Sequence, residues 1–208
     1  MKPWLLDILA CPMDKHFPLQ LFIFSYETPE EEFKDFHKIY QKRDLDSIKS
    51  EKIINISKNE EDVLVKDLIV IKKTPVDKYL GKVRNSIDEL ANISDRSQSS
   101  FTEKCFQIAL NEIKPNIKDF INRGELHKLD NILPELYFLN KLKIDVEIES
   151  GLLFCEQCNR WFPIIETIPQ MLPDQYRDRK KELKFLKKKK NLLDKSFLQQ
   201  ELQPFGIK

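Results

Sequence analysis

A Cys-x-x-Cys pair, Cys155 and Cys158, lies between two short apolar runs and leaves this chain fewer possible folds than any other motif. Two strands that meet at such a turn bring both sulphur atoms to one point, as in a zinc knuckle. Asn159 follows, and asparagine tolerates the left-handed backbone conformation that this position often needs. Because tetrahedral zinc takes four ligands, the pair predicts half of a site.

The other half must come from the few remaining sulphur and imidazole side chains, since the chain has four cysteines and three histidines. Cys11 and His16 lie close together near the start, and Pro12 favours a turn directly after the thiol. Thiolate and imidazole both suit zinc. We therefore predict the metal ligands Cys11, His16, Cys155 and Cys158, a set that joins the two ends of the chain.

Three other candidates, Cys105, His37 and His127, lie in a charged, helical middle region without a partner at ligand spacing, so they are predicted to be ordinary helix residues. Two alternatives remain for the motif cysteines. In the first, these two cysteines and Cys11 are buried thiols that bind no metal, because free cysteine is among the most buried residue types. The second is a redox motif. A thioredoxin-like redox motif would open a helix, whereas an aromatic, proline-containing strand follows here.

Composition indicates a soluble globular protein, with 41% hydrophobic and 33% charged residues, large enough for one core or two small ones. No apolar run approaches the roughly eighteen residues of a spanning helix, and the first residues lack a secretory signal. We therefore expect no membrane association. The cysteine usage is typical of a reducing compartment and predicts a cytoplasmic location.

The elements near the chain ends predict a small sheet. A short helix is predicted over residues 3–10, followed by a strand over 17–24 whose unbroken apolar run indicates burial on both faces. Residues 144–149 alternate between apolar and polar, which predicts a strand, and Ser150-Gly151 predicts a hairpin turn after it.

After the knuckle, residues 161–165 are predicted to form the returning strand. The prolines of the following segment, 168–173, cannot donate hydrogen bonds to a neighbouring strand, so this segment is expected at an exposed edge.

The middle region predicts helices. One begins at Pro29 and carries the apolar stripe Phe33, Phe36, Ile39 and Tyr40. Residues 63–71 fit a strand or a buried helix turn equally well. Three further helices are predicted near residues 76–92, 101–122 and 125–141.

The last segment is strongly basic. Between Tyr176 and Lys195 there are ten Lys or Arg and three Asp or Glu, a charge of +7 that leaves −6 for the rest of a chain whose total is +1. Its apolar stripe of Leu183, Leu186, Leu193 and Phe197 is broken, which predicts a helix that packs weakly or awaits a partner.

These patterns together predict an α+β protein: a small zinc-ribbon-like antiparallel sheet with an N-terminal helix, built from both chain ends, plus a helical insertion. The predicted domains are residues 1–25 with 144–175, the insertion 29–142, and the basic helix 176–208.

The ordered combination of Trp4-Leu-Leu-Asp-Ile-Leu-Ala-Cys-Pro12, Phe17-Pro-Leu19, the Cys-x-x-Cys pair and Ile168-Pro-Gln-Met-Leu-Pro173 resembles the tRNA methyltransferase activator subunit family. The resemblance covers about a quarter of the chain. It implies a zinc-binding, non-catalytic partner of S-adenosylmethionine-dependent methyltransferases that modify tRNA, rRNA or a translation termination factor.

The resemblance also implies a docking surface, because these activators hold a strand of the enzyme beside their own sheet. The matching residues are Leu5, Leu9, Ile164, Ile168, Met171 and Leu172. The alternative for Leu5 and Ile164 is that they fill the domain's own core. Two positions depart from the family pattern: Asp14 occupies the close position where a cysteine is usual, and Thr167 stands where glycine is common.

Catalysis by this chain is not expected, because four glycines provide no Gly-rich cofactor loop and four protein ligands would leave zinc without an open position. A second hypothesis is a stand-alone nucleic-acid-binding zinc ribbon whose basic tail contacts phosphate. The predicted RNA-contacting residues, which would also suit an activator that helps to hold tRNA or rRNA, are Lys180, Lys181, Lys184, Lys187, Lys188, Lys189 and Lys190.

Overall fold

The computed structural model describes residues 1–58, 63–124, 126 and 128–207. The strands are β1 (Gln20–Tyr26), β2 (Asn55–Lys58), β3 (Val63–Lys66), β4 (Thr74–Pro75), β5 (Ile93–Asp95), β6 (Ile148–Cys155), β7 (Arg160–Ile165) and β8 (Ile168–Pro169). The α-helices are α1 (Glu30–Lys42), α2 (Leu45–Ser50), α3 (Val76–Asp88), α4 (Ser100–Ile108), α5 (Lys114–Arg123), α6 (Leu133–Asn140), α7 (Arg179–Lys189) and α8 (Lys195–Gln199). Turns of 3-10 helix lie at Pro3–Asp7, Glu89–Asn92, Leu129–Ile132, Asp174–Tyr176 and Lys190–Leu192, and π-helical turns at Ala109–Ile113 and Lys141–Asp145.

The chain divides into two compact units. The first unit consists of Met1–Thr28, Asn92–Ser99 and Glu147–Lys208, and the second of Pro29–Ala91 and Ser100–Val146. The mixed α and β architecture with antiparallel sheets confirms the predicted α+β class.

The first unit is built on a five-stranded sheet with the strand order β5-β1-β6-β7-β8. Neighbouring strands are antiparallel except for β1 and β5, which are parallel. As predicted from its apolar run, β1 is buried on both faces, from Leu21 to Phe24. β5 lies between the helices predicted near residues 76–92 and 101–122, where no strand was predicted, and it forms an edge strand of this sheet.

The predicted hairpin at Ser150-Gly151 is wrong, because β6 runs without a turn from Ile148 to Cys155. Ile144 lies instead in the π-helical turn before it. The glycine serves a close approach rather than a turn: a Cβ on Gly151 would lie 2.7 Å from the backbone oxygen of Phe22 on β1.

We expect Gly151→Ala to lower the free energy of unfolding by about 1 to 3 kcal/mol, because the added methyl group forces β1 and β6 apart. Gly81, inside α3, is the matched control, since a Cβ there meets no atom within 4 Å. Gly81→Ala should stabilise the chain by about 0.5 to 1 kcal/mol. Denaturant unfolding of both variants tests this, and equal effects of the two substitutions would contradict it.

The prediction that the basic tail packs weakly is wrong. Leu186, Leu193, Phe197 and Leu202 are buried against sheet residues of the first unit. The Phe197 ring centroid lies 5.1 Å from that of Phe22 and 4.9 Å from that of Phe154. The tail is therefore a layer of the first unit, which covers one face of its sheet.

Arg177 fixes the start of this layer. Its buried guanidinium donates to the Glu182 carboxylate at 2.5 to 3.1 Å and to the backbone oxygen of Trp161 at 2.6 Å. At the far end of the layer, the Gln203 oxygen accepts from the Trp161 N–H at 3.3 Å. The tail is thus bound to β7 at two points.

The second unit has a helical core and a small antiparallel sheet of order β2-β3-β4. The predicted apolar stripe of α1 is confirmed at Phe33, Phe36 and Tyr40, which are buried. The rings of Phe36 and Tyr40 lie 5.1 and 5.0 Å from that of Phe138 on α6. The ambiguous segment that begins at Val63 forms the strand β3.

Candidate metal centre and docking edge

Three of the four predicted metal ligands come together in the first unit. The Sγ atoms of Cys11 and Cys158 are 3.7 Å apart. The Sγ of Cys155 lies 3.4 and 3.6 Å from the two carboxylate oxygens of Asp14. Ligand atoms of these four residues all lie within 4.8 Å of one another, so they could hold a metal ion.

Two of the separations between donor atoms match those expected around a small tetrahedral ion. With Zn–S bonds of about 2.3 Å and a Zn–O bond of about 2.0 Å, tetrahedral geometry places two sulphurs about 3.8 Å apart and sulphur and oxygen about 3.5 Å apart. The observed S–S distance of 3.7 Å and S–O distances of 3.4 and 3.6 Å agree with both values. Three thiols and one carboxylate also suit zinc chemically.

Two loops of equal spacing provide the ligands. Cys155 ends β6, Cys158 precedes β7, and Asn159 has the left-handed φ of 52° that the sequence predicted. In the other loop, the N–H of Cys11 donates to the His16 oxygen at 2.9 Å, and the Lys15 N–H donates to the Cys11 oxygen at 2.9 Å. This hydrogen-bonded loop places Asp14, the third residue after Cys11, at the cluster. The turn between β6 and β7 does the same for Cys158, the third residue after Cys155.

His16 does not join the cluster, so its prediction as a ligand is corrected to Asp14. The His16 main chain is committed to closing the loop, and its N–H also donates to Asp14 Oδ1 at 3.0 Å. Imidazole is a softer ligand than carboxylate and suits zinc beside thiolates, but the loop geometry places the residue at the Cys-x-x spacing, Asp14, at the cluster. Asp14 could have been found from that spacing, which repeats the spacing of Cys155 and Cys158.

The electrostatics of the cluster separate the thiols from the carboxylate. Burial raises the pKa of the Cys155 thiol to about 12 and also raises the pKa of Cys11. The His16 N–H is the main cause that holds the pKa of the Asp14 carboxyl well below its usual range. A metal that binds here must therefore displace protons from buried thiols, while Asp14 is already ionised.

We expect Asp14→Ala to weaken zinc binding by at least tenfold, because one of four ligands is lost. His16→Ala should change the affinity by less than about threefold, since it removes an imidazole outside the cluster and keeps the backbone. Competition titration with a zinc chelator measures both. A larger loss from His16→Ala than from Asp14→Ala would restore the histidine as the ligand.

The other cysteine and histidines are placed as follows. Cys105 and His37 are buried in the second unit on α4 and α1, and neither belongs to the cluster found among the described residues. His127 lies outside the described residues. Burial lowers the pKa of His37, which favours its neutral form.

The docking edge predicted from the prolines lies at β8, the last strand of the five-stranded sheet. Ile168 pairs with Ile165 of β7 across a two-residue turn in which Glu166 and Thr167 both have positive φ. Ile168 is 60% exposed and Leu172 is 42% exposed. These two apolar side chains are therefore available to a partner.

The segment after β8 is held at both ends. The Gln170 N–H donates to the Pro163 oxygen at 2.8 Å. Beyond Leu172, the Asp174 carboxylate accepts from Arg160 Nη2 at 2.9 Å and from its Nε at 3.2 Å. This ion pair was not anticipated, and it links the docking edge to the residue that follows the knuckle turn.

The remaining predicted docking residues differ in exposure. Leu5, Leu9 and Met171 are half-buried. Ile164 is fully buried, so its prediction as a contact residue is wrong. Its side chain packs beside Gly151, where an added Cβ would lie 3.1 Å from the Ile164 Cδ1 atom. Sequence reasoning also passed over Ile8, which is 63% exposed beside the first 3-10 turn.

The predicted RNA-contacting lysines lie on α7 and the turn after it. Six of them, Lys180, Lys181, Lys184, Lys187, Lys188 and Lys190, are exposed. Lys189 differs, because it is half-buried with its Nζ 5.6 Å from the centre of the Phe24 ring. Burial lowers the pKa of Lys189.

A family model described as Trm112p-like protein matches residues 2–166. The chain belongs to the Trm112p-like family. Neither the curated proteins nor the solved structures gave a match. Membership confirms the resemblance read from the motifs and indicates an activator or adaptor of methyltransferases rather than a catalyst. The match ends directly before β8, so the docking edge and the basic tail lie beyond it.

Among the described residues of this Trm112p-like chain, no helix is both long enough and apolar enough to cross a lipid bilayer.

Proposed function

We propose that this chain is a non-catalytic activating subunit of S-adenosylmethionine-dependent methyltransferases that modify tRNA, rRNA or a translation termination factor. The observation that carries the proposal is the exposed apolar side chain of Ile168 on β8, the outermost strand of the first unit's sheet, in a chain that belongs to the Trm112p-like family. The cysteine usage of the chain is typical of a reducing compartment, and the proposed substrates belong to translation. Both fit a cytoplasmic location.

Strand addition is the docking mode that this edge favours. An outermost strand leaves main-chain groups without a neighbouring strand, and exposed apolar residues on such a strand favour pairing with another chain. Because Pro169 has no N–H, a partner strand would donate to carbonyl oxygens of β8 rather than accept from Pro169. A methyltransferase strand beside β8 would bury Ile168, Met171 and Leu172. A standard interface of about 1,600 Å² would also reach beyond so short a strand, and Leu5, Leu9 and the exposed Ile8 are candidates for that wider contact.

The effect on the enzyme follows from covering apolar surface. A catalytic subunit that exposes its own apolar strand tends to aggregate, and the activator would keep it soluble. Binding that favours the cofactor-competent conformation would also raise its affinity for S-adenosylmethionine. The activator itself needs no catalytic group for either effect.

Zinc would be structural in this proposal. Cys11, Asp14, Cys155 and Cys158 would hold it, and four protein ligands leave no position for a substrate or an activated water. When bound, zinc ties the loop after the first 3-10 turn to the β6–β7 turn. The strand β7, which follows this turn, pairs with β8 and so supports the docking edge.

Co-expression tests the proposal. Each S-adenosylmethionine-dependent methyltransferase of the source organism is expressed alone and together with this chain, and its soluble yield is measured. We expect at least one to co-purify at one-to-one stoichiometry with a several-fold higher soluble yield. If every such enzyme has the same yield alone and elutes separately, the proposal is overturned.

A further inference from the structure

The exposed lysines of α7 occupy one face of the helix. Lys180, Lys184, Lys187 and Lys188 follow the spacing i, i+4, i+7 and i+8, which places them on one side of an α-helix. Lys181 borders this side. Glu182 and Leu186, on the opposite side, are buried. The helix is thus fixed by its inner side, and the lysine face points to solvent.

The charge of this face is not neutralised locally. Among the ion pairs of the described residues, the one that involves this face joins Lys181 to Asp178 at 3.9 Å. Among the described residues, no carboxylate forms an ion pair with Lys180, Lys184, Lys187 or Lys188. Like charges three and four residues apart destabilise a helix, so the lysine face weakens α7 unless an anion covers it.

The burial of the tail decides which kind of anion fits. An amphipathic helix that binds a lipid surface inserts its apolar side between the lipids. The apolar side of α7 is already used, since Leu186 is buried with Phe24 and Trp161 in the core of the first unit. The lysine face therefore offers charge alone, which suits the regularly spaced phosphates of a nucleic acid.

We propose that the α7 lysine face, Lys180, Lys181, Lys184, Lys187 and Lys188, binds the phosphate backbone of RNA without sequence specificity. The choice of RNA over DNA rests on the proposed function, in which the partner enzyme modifies RNA. The contact with phosphate does not depend on that function. The remainder of the chain beyond residues 176–195 carries a charge of −6 and repels RNA, so binding is confined to the tail. The face would hold the substrate while the docked enzyme acts on it.

The test uses the full chain without any methyltransferase and an unmodified tRNA transcript as the probe, with affinity measured by fluorescence anisotropy at several salt concentrations. If about four lysines contact phosphates, affinity should fall on the order of a hundredfold between about 50 and 200 mM salt. The variant Lys180→Gln/Lys184→Gln/Lys188→Gln should bind at least tenfold more weakly, with a shallower salt dependence.

The matched control is Lys38→Gln/Lys78→Gln/Lys82→Gln, which removes the same charge from exposed positions on α1 and α3 of the second unit. It should bind within about threefold of the unaltered chain, and Lys→Arg at the three α7 positions should retain binding. Equal losses from the control and the α7 variant would overturn the proposal. So would binding to vesicles that contain phosphatidylserine in the absence of tRNA binding.

Two further measurements keep this proposal separate from the activator role. A duplex DNA of equal length, run as a competitor, should bind no tighter than tRNA, and clear preference for DNA would overturn the choice of RNA. The α7 variant should still co-purify with the methyltransferase, because none of its three substituted residues belongs to the proposed docking edge. Loss of the enzyme together with RNA would contradict a separate RNA face, whereas loss of RNA alone supports it.

Discussion

Ile168→Asp is expected to abolish co-purification with the methyltransferase while the isolated chain remains folded. Ile168 is 60% exposed in the unbound chain, so the substitution removes little internal packing. In the complex, however, it would place an unpaired carboxylate within an apolar contact, which costs several kcal/mol. We expect the dissociation constant to rise at least about a hundredfold, or roughly 3 kcal/mol.

Ile71→Asp provides the control for that result. Ile71 is 74% exposed and belongs to the second unit, so this substitution adds the same charge at another exposed isoleucine. It should leave the enzyme affinity unchanged within about twofold. Unfolding curves of both variants should match that of the unaltered chain. Retained association of the Ile168→Asp chain would remove β8 as the docking edge.

Cys155→Ser is expected to eliminate zinc and to lower the free energy of unfolding by several kcal/mol. Zinc binding to a folded site contributes directly to folding free energy, and a serine hydroxyl does not replace a thiolate ligand. Elemental analysis should fall from about one zinc per chain to almost none. Removing zinc from the unaltered chain with a chelator should produce a similar loss of stability.

Cys105→Ser separates this effect from the loss of any buried thiol. Cys105 is a buried thiol on α4 of the second unit. Its substitution should destabilise the chain without changing the zinc content. Less than stoichiometric zinc in the unaltered protein, or equal zinc content in both serine variants, would contradict a structural zinc site. The cluster would then consist of side chains that pack together without a metal.

Local patterns predicted the parts of the fold that local physics determines. The strand β1 follows from an unbroken apolar run, and α1 follows from Phe33, Phe36 and Tyr40 at helical spacing. The knuckle turn follows from Cys155 and Cys158, because a turn with two thiols at that spacing has few other uses. In each case neighbouring residues carry the signal.

The errors arose where distant segments decide the structure. Gly151 suggested a turn, but the backbone of β1 lies too close for any side chain there. The apolar stripe of the tail is broken because Leu186 and Phe197 contact a sheet at different points rather than a single helix. The three-residue strand β5 is too short to have a pattern of its own, and only pairing with β1 reveals it.

The candidate site shows the same division. Three ligands could be predicted from residue type, since cysteine side chains are few. Residue type alone does not identify the fourth, because it favours His16; the Cys-x-x spacing repeated at Cys11 and Asp14 is the signal that does, and a hydrogen-bonded loop that His16 closes places Asp14 at the cluster. The exposure of Ile168 was predictable from the prolines beside it, whereas the burial of Ile164 depends on its position opposite Gly151 of β6.

The most direct test of the activator role is the rate of methyl transfer from S-adenosylmethionine to its substrate by the co-purifying methyltransferase, measured with and without this chain. We predict that addition of one equivalent raises the rate at least tenfold, and that the Ile168→Asp chain gives no increase. An enzyme that is soluble and equally fast without the chain would contradict the account.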